Sequence, residues 1–257
     1  MSRRIKDFCR ICGKYSEMTF EHVPPKVTFN KNTKYKEVAF LTFFESKNPF
    51  EHNQKGKVEQ GGVGYYSLCS PCNSNLGSKY VSSFNRYSNS FINSAEKKDL
   101  NYFEIEMHDF EVLKVLKQTI SMFLAMNSVL FSKRNKELAD FVSNLYSQNL
   151  PEKYRIFIYL NSEGQLRNLP LMTSVNFSFG LSVYASELSF PPLGHVLTIG
   201  FDGDLPYHHE ITHFKNYSID EKTSVVFKMF RLPTHLPILL DYREKSTIQN
   251  RINNSGH

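Results

Sequence analysis

Two Cys-x-x-Cys pairs, Cys9/Cys12 and Cys69/Cys72, account for all four cysteines of the chain. Each pair delivers two thiolates from one tight turn, and two such turns make a tetrahedral four-sulfur site for structural zinc. Redox-active or merely buried thiols are the alternative reading. Between the pairs lies Glu21-His22, and Asn73 directly follows the last cysteine. If a metal clamps residues 9–12 to residues 69–72, the segment ending at His22 becomes a neighbour of whatever begins at Asn73. The Glu21 carboxylate and the Asn73 amide oxygen are hard donors suited to Mg²⁺ or Mn²⁺. An imidazole beside such a cation, not bound to it, can take a proton from water. A divalent cation, a general base and a basic surface are the parts of metal-assisted phosphodiester hydrolysis.

The elements that must hold these residues are readable in outline. Met18–Phe20 is a short extended stretch ending at Glu21-His22, and Pro24-Pro25 keeps the chain out of a helix there. Residues 30–64 are polar and rich in Asn, Lys and Gly, with an embedded strand over Val38–Phe44. Tyr65–Leu68 is a short strand entering the second pair. From Asn73 to about Ile92, Leu76, Tyr80, Phe84, Tyr87 and Phe91 recur at helical spacing. A helix N-terminus there favours phosphate. As an alternative, Asn73 serves only as the cap of this helix.

A charged break, Ser94–Tyr102, is the expected domain boundary. Beyond it the spacing predicts a helix over Phe110–Phe131, a second over Lys136–Tyr146, and strands over Arg155–Leu160, Val175–Phe190, His195–Phe201 and Ser224–Leu232. The end, INNSGH, reads as a frayed tail. The fold class is α+β: an N-terminal module over 1–95, then a domain over 100–257 with a helical pair packed on an antiparallel sheet. The second part could serve targeting, oligomerisation or sensing.

The chain has 257 residues and a net charge of +6. Residues 1–80 hold 13 Lys and Arg against 7 Asp and Glu, and the remainder holds 18 of each, so the whole excess lies with the cysteine pairs. A basic module on a neutral one points to a polyanion, most simply nucleic acid. The start, MSRRIKDFCRIC, has no apolar core of a signal peptide, and no run is long enough to span a membrane. Reduced thiols in a cytoplasmic setting are the corresponding expectation.

Taken together, Cys9-Arg-Ile-Cys12, Glu21-His22-Val-Pro24-Pro25-Lys26 and Leu68-Cys69-Ser-Pro-Cys72-Asn73 resemble the HNH (ββα-metal) endonucleases of the zinc-stabilised, four-cysteine kind. The resemblance covers about the first 90 residues. It implies His22 as general base, Glu21 and Asn73 as holders of one catalytic Mg²⁺ or Mn²⁺, DNA as the partner, and purely structural cysteines. Lys26 and Lys79 would be phosphate contacts. Glu21 stands where the family usually has Asp. The Asn that usually precedes the second pair is missing from Gly61–Tyr65, and Asn53 or His52 are the candidates to replace it. A non-catalytic zinc-dependent nucleic-acid-binding module is the alternative from these same residues.

A rival pattern lies downstream. His209-Glu210-Ile-Thr-His213 matches the H-E-x-x-H of zinc proteases, which needs a helix placing both histidines on one face and a third ligand, for which Glu221 and His235 are candidates. Its flanks are polar and sit between strand patterns, so the segment reads as a short surface helix or loop. His108, His195 and His235 carry no constellation.

Overall fold

The computed structural model describes residues 5–37, 56–92, 102–161, 166–176, 181–205 and 207–232. The expected strand Val38–Phe44, the candidates His52, Asn53 and His235, the break up to residue 101 and the INNSGH end lie outside these residues.

The chain opens with β1 (Lys6–Phe8) and β2 (Tyr15–His22). A ribbon of β3 (Tyr35–Glu37) and β4 (Lys57–Glu59) follows. Then β5 (Gly64–Cys69) returns antiparallel to β2, giving the sheet order β1-β2-β5. Helix α1 (Ser70–Ser90) starts immediately, with the extended residue Cys69 as its N-cap. It begins three residues before Asn73, so the second cysteine pair is built into its first turn. Pro71 is tolerated there because first-turn N–H groups have no helical partner. The predicted stripe holds: Leu76, Tyr80, Phe84, Tyr87 and Phe91 are all buried.

Tyr102–Phe110 forms β6, a strand the helix pattern beginning at Phe110 had obscured. Its signal is the period-two run Phe103, Ile105, Met107 set against Glu104, Glu106, His108. The helix expected over Phe110–Phe131 is divided into α2 (Val112–Met126) and α3 (Val129–Arg134). The division follows from local bonding, since Ser128 caps α3 by accepting from Phe131 N–H at 3.2 Å. Asn127 Nδ2 turns back to the Phe123 carbonyl at 2.8 Å. Helix α4 spans Lys136–Ser143.

The remaining strands are β7 (Tyr154–Asn161), β8 (Arg167–Asn176), β9 (Leu181–Phe190), β10 (Leu193–Ile199), β11 (His209–Glu210) and β12 (Thr223–Leu232). The single strand expected over Val175–Phe190 is therefore the end of β8 and all of β9. The sheet order is β6-β12-β7-β10-β9-β8, with β11 on β7. It is antiparallel except where β12 runs parallel to β7.

Helix α2 sits between the N-terminal elements and this sheet. Of its residues only Lys114 escapes burial, as a helix that is apolar nearly all round requires. One apolar core runs from Cys9, Met18 and Leu68 through α1 and α2 to Ile158 and Leu197. Tyr80 OH donates to the Val142 carbonyl at 2.8 Å, and Asn168 Nδ2 donates to Tyr65 OH at 3.0 Å, so polar ties reinforce the packing.

Lys117 is fully buried in α2 and closes the end of α4. Its ammonium donates to the carbonyls of Phe141, Asn144 and Ser147, the last two at 3.0 and 2.8 Å. The Phe141 ring lies 3.8 Å from Nζ and adds a cation–π contact. Lys117→Met keeps the alkyl bulk but removes a donor from three carbonyls, of which only that of Asn144 keeps a backbone partner, the Ser147 N–H. It should lower unfolding stability by about 3 kcal/mol in urea titration, and a change under ~0.5 kcal/mol would refute this capping role.

Candidate metal centre and its surroundings

The β1–β2 turn and the β5–α1 junction bring the four thiols together. All four sulfurs lie within 4.8 Å of one another, and Cys12 and Cys69 are 3.7 Å apart. A zinc ion with bonds of about 2.3 Å places tetrahedral sulfurs about 3.8 Å apart, so the cluster can hold a metal such as zinc. Cys9 and Cys69 are buried, Cys12 is exposed and Cys72 lies between. Burial pushes the Cys9 thiol up, but the backbone N–H groups of Cys69, Cys12 and Ile11 outweigh it and the net shift is downward. Cys72 goes up, through burial and then the charge of Cys9. Four thiolates so close together need a cation to coexist.

Strand β2 carries the clamp's geometry to the next residues. Its register with β5 pairs Met18 with Cys69, Glu21 with Tyr65 and His22 with Gly64. Thr19 Oγ1 donates to the Leu68 carbonyl at 2.9 Å and accepts from Asn73 Nδ2 at 2.9 Å. That commits the amide nitrogen of Asn73 and leaves its oxygen for another partner. Asn73 stands in the first turn of α1 but is not its cap.

Glu21 lies beside Asn73. Burial pushes its carboxyl up to about 7, and the Asn73 amide only partly opposes this. Among the described residues no lysine or arginine pairs with it. Glu21 is thus a half-buried carboxylate held against the Asn73 amide.

His22 leaves β2 on the other side, as strand alternation requires. Its ring meets Phe20 edge to face at 4.9 Å, and Nε2 lies 3.2 Å from the Gly61 carbonyl. A carbonyl only accepts, so Nε2 is the donor in this contact, and in the neutral imidazole Nδ1 is then the acceptor. The structure thus joins Glu21 to Asn73 and sets His22 at the same strand end, on the opposite face. Lys26 is exposed in the following loop, and Lys79 is half-buried on α1.

Asn30 is the residue the sequence did not single out. It is fully buried, donates to the Pro24 and Val63 carbonyls at 2.6 and 2.7 Å, and accepts from Val63 N–H at 2.8 Å. These bonds pin the loop after His22 to the strand entering the second cysteine pair. Gly62 completes the fit: φ is +103°, and a Cβ would stand 2.4 Å from the Asn30 carbonyl oxygen and 2.8 Å from His22 Cδ2. The run Gly61-Gly62-Val63-Gly64 was the available signal of close approach.

Among the described residues the downstream histidines form no comparable centre. His209 and Glu210 are on β11, paired with Ile158 and Phe157, and His213 is in a 3₁₀ turn over Thr212–Asn216. Glu210 is gripped by Arg155 through Nε at 3.1 Å and Nη2 at 2.7 Å. The other expected ligand, Glu221, accepts from Ser218 N–H at 2.9 Å. An H-E-x-x-H centre needs one helix and a free glutamate, and this segment supplies neither. Burial holds His195 down to about 3, so it is a neutral core residue beside Phe84 and Tyr87.

No family model, curated protein or solved structure matches the chain. No helix among the described residues is long and apolar enough to cross a membrane.

Two measurements check this site. Purified protein should carry about one zinc per chain, lost in Cys12→Ser, with hydrogen-exchange protection falling in β1, β2 and β5 but not in β7 or β10. Retention of full metal content by that variant would refute the clamp. Separately, the raised Glu21 pKa means the folded, metal-free protein binds this proton more tightly than the unfolded chain. Stability from this group is then lost as pH rises from about 4.5 to about 7. Glu21→Gln should match wild type near the lower limit and exceed it by about 3 kcal/mol above the upper one. An equal difference at both pH values would count against burial as the cause.

Proposed function

We propose that the chain is a metal-dependent endonuclease of the HNH (ββα-metal) type, hydrolysing phosphodiester bonds of nucleic acid. The observation that carries this reading is the pairing of the half-buried Glu21 carboxylate with Asn73 at the first turn of a helix whose start carries two of the four clustered cysteines. A β-hairpin followed by a helix, β2-β5-α1, supports the HNH form. Glu21 and Asn73 would hold one Mg²⁺ or Mn²⁺. When bound, that ion stabilises negative charge on the scissile phosphate and the departing 3′ oxygen. His22, its Nε2–H fixed by the Gly61 carbonyl, offers Nδ1 as the base that takes a proton from the attacking water. Lys26 and Lys79 draw the phosphate backbone in, and the basic N-terminal segment adds long-range attraction.

A second reading, a non-catalytic zinc-dependent nucleic-acid-binding protein, is favoured by the departure of Glu21 and His22 from opposite sides of β2. Plasmid cleavage with Mg²⁺ or Mn²⁺, against EDTA, separates the two. Wild type should nick or cut. His22→Ala should lose about 10²-fold or more in rate while retaining its zinc. Equal cutting by both proteins would remove His22 from the mechanism. Binding that weakens with salt, without cleavage by either, would favour the second reading.

A further inference from the structure

The face of β2 and β5 that carries His22 bears a row of rings. Phe20 meets His22 at 4.9 Å between centroids and Tyr66 at 5.3 Å, both edge to face. Phe20 and Tyr66 are cross-strand partners in the register. Glycines clear the floor beneath them: a Cβ on Gly64 would lie 2.7 Å from Phe20 Cζ. Tyr66 is 43% exposed, whereas its neighbours Ser67 and Leu68 are about fully buried. The row begins at the candidate base and runs away from it along the sheet.

Cations border the His22 end. Lys26, Lys31 and Lys34 are exposed on the loop that follows His22. That loop is fixed beside the rings by Asn30 and by Gly62 N–H, which donates to the Thr33 carbonyl at 3.1 Å. Rings beside a loop bearing exposed lysines suit a chain of exposed bases joined by phosphates. A duplex hides its base faces inside the stack and has no use for such a row.

We infer that the Tyr66–Phe20–His22 row is a stacking platform for an unpaired nucleic-acid strand, which it leads toward His22. The inference rests on the reading above for the nature of the substrate, and it narrows that substrate to single-stranded segments or unpaired ends. Stacking is indifferent to sequence, so the platform selects strandedness and not a base order.

The test is fluorescence anisotropy with labelled oligo(dT) of about a dozen nucleotides and with a blunt duplex of equal length. Mg²⁺ and Mn²⁺ are omitted, so binding is read apart from cleavage. Wild type should bind the single strand more tightly. Tyr66→Ala should weaken that binding about tenfold, the loss of one base–ring stack, with the duplex affinity and the zinc content unchanged. Tyr66→Phe should restore it, because the ring and not the hydroxyl stacks. Tighter duplex binding by wild type, or equal losses on both probes, overturns the inference. So does a wild-type dimer that Tyr66→Ala dissociates, which would make this a self-association face. Loss of oligo(dT) binding in Tyr66→Ala alongside plasmid cleavage that ignores His22→Ala would keep the platform and remove the nuclease reading. The reverse pattern would keep the nuclease and remove the platform.

Discussion

The four-thiol cluster is the constraint on which the candidate site depends. It joins two turns that are far apart in sequence, and the described residues between them form only short strands, a small ribbon and turns. Residues 9–12 contribute no strand that could dock them on α1 unaided, and β1 is only three residues long. Bringing the sulfurs together sets the Met18–Cys69 pairing, and that register sets Glu21 against Asn73. Closing such a long loop carries an entropic cost that small, exposed elements cannot meet by apolar burial alone. A metal held by the four thiols would meet it at one point, beside the residues that carry the candidate chemistry.

Much of this was legible in the sequence, and what was not has physical causes. The cysteine pairs, the stripe of α1 and the proximity of Glu21 to Asn73 all follow from spacing, because a metal and a helix both impose strict periods. The strand β6 was hidden because Phe110 belongs equally well to an alternating run and to the apolar helix after it. The split between α2 and α3 depends on the side-chain bonds of Asn127 and Ser128, which no periodicity records. Asn30 was invisible for the same reason. Its three hydrogen bonds connect residues distant in sequence, and the polar run around it gives no sign that one asparagine is buried. The opposite departures of Glu21 and His22 were implicit in a strand ending at His22, yet proximity in sequence suggested convergence.

Residues 23–33 and 61–64 illustrate how polar chain can be tied down by hydrogen bonds without a core of its own. Asn30 replaces backbone partners on both sides of the loop, and Gly62 and Gly64 let rings lie directly on the backbone. Each device satisfies groups that burial would otherwise leave unpaired. The result is a firm wall beside the histidine, built from residues that composition alone would assign to a mobile linker. In the other half, Arg155 serves a similar purpose: it binds Glu210 and the carbonyls of Phe201 and Gly203, fastening the loop before β11.

The near-total burial of α2 bears on how this chain could have been assembled. A helix buried on nearly every side has almost no solvent face, so it cannot be the outer wall of either half. The N-terminal hairpin and the large sheet share it as a common floor. Cut the chain after α1, and Leu76, Tyr80, Phe84 and Tyr87 lose their cover, leaving a sticky fragment that chaperones and proteases would treat as unfinished. The cysteine-bearing unit is therefore not a portable cassette. Any lineage that moved it into a new setting would have to carry α2 along, or evolve a replacement for it in the same step.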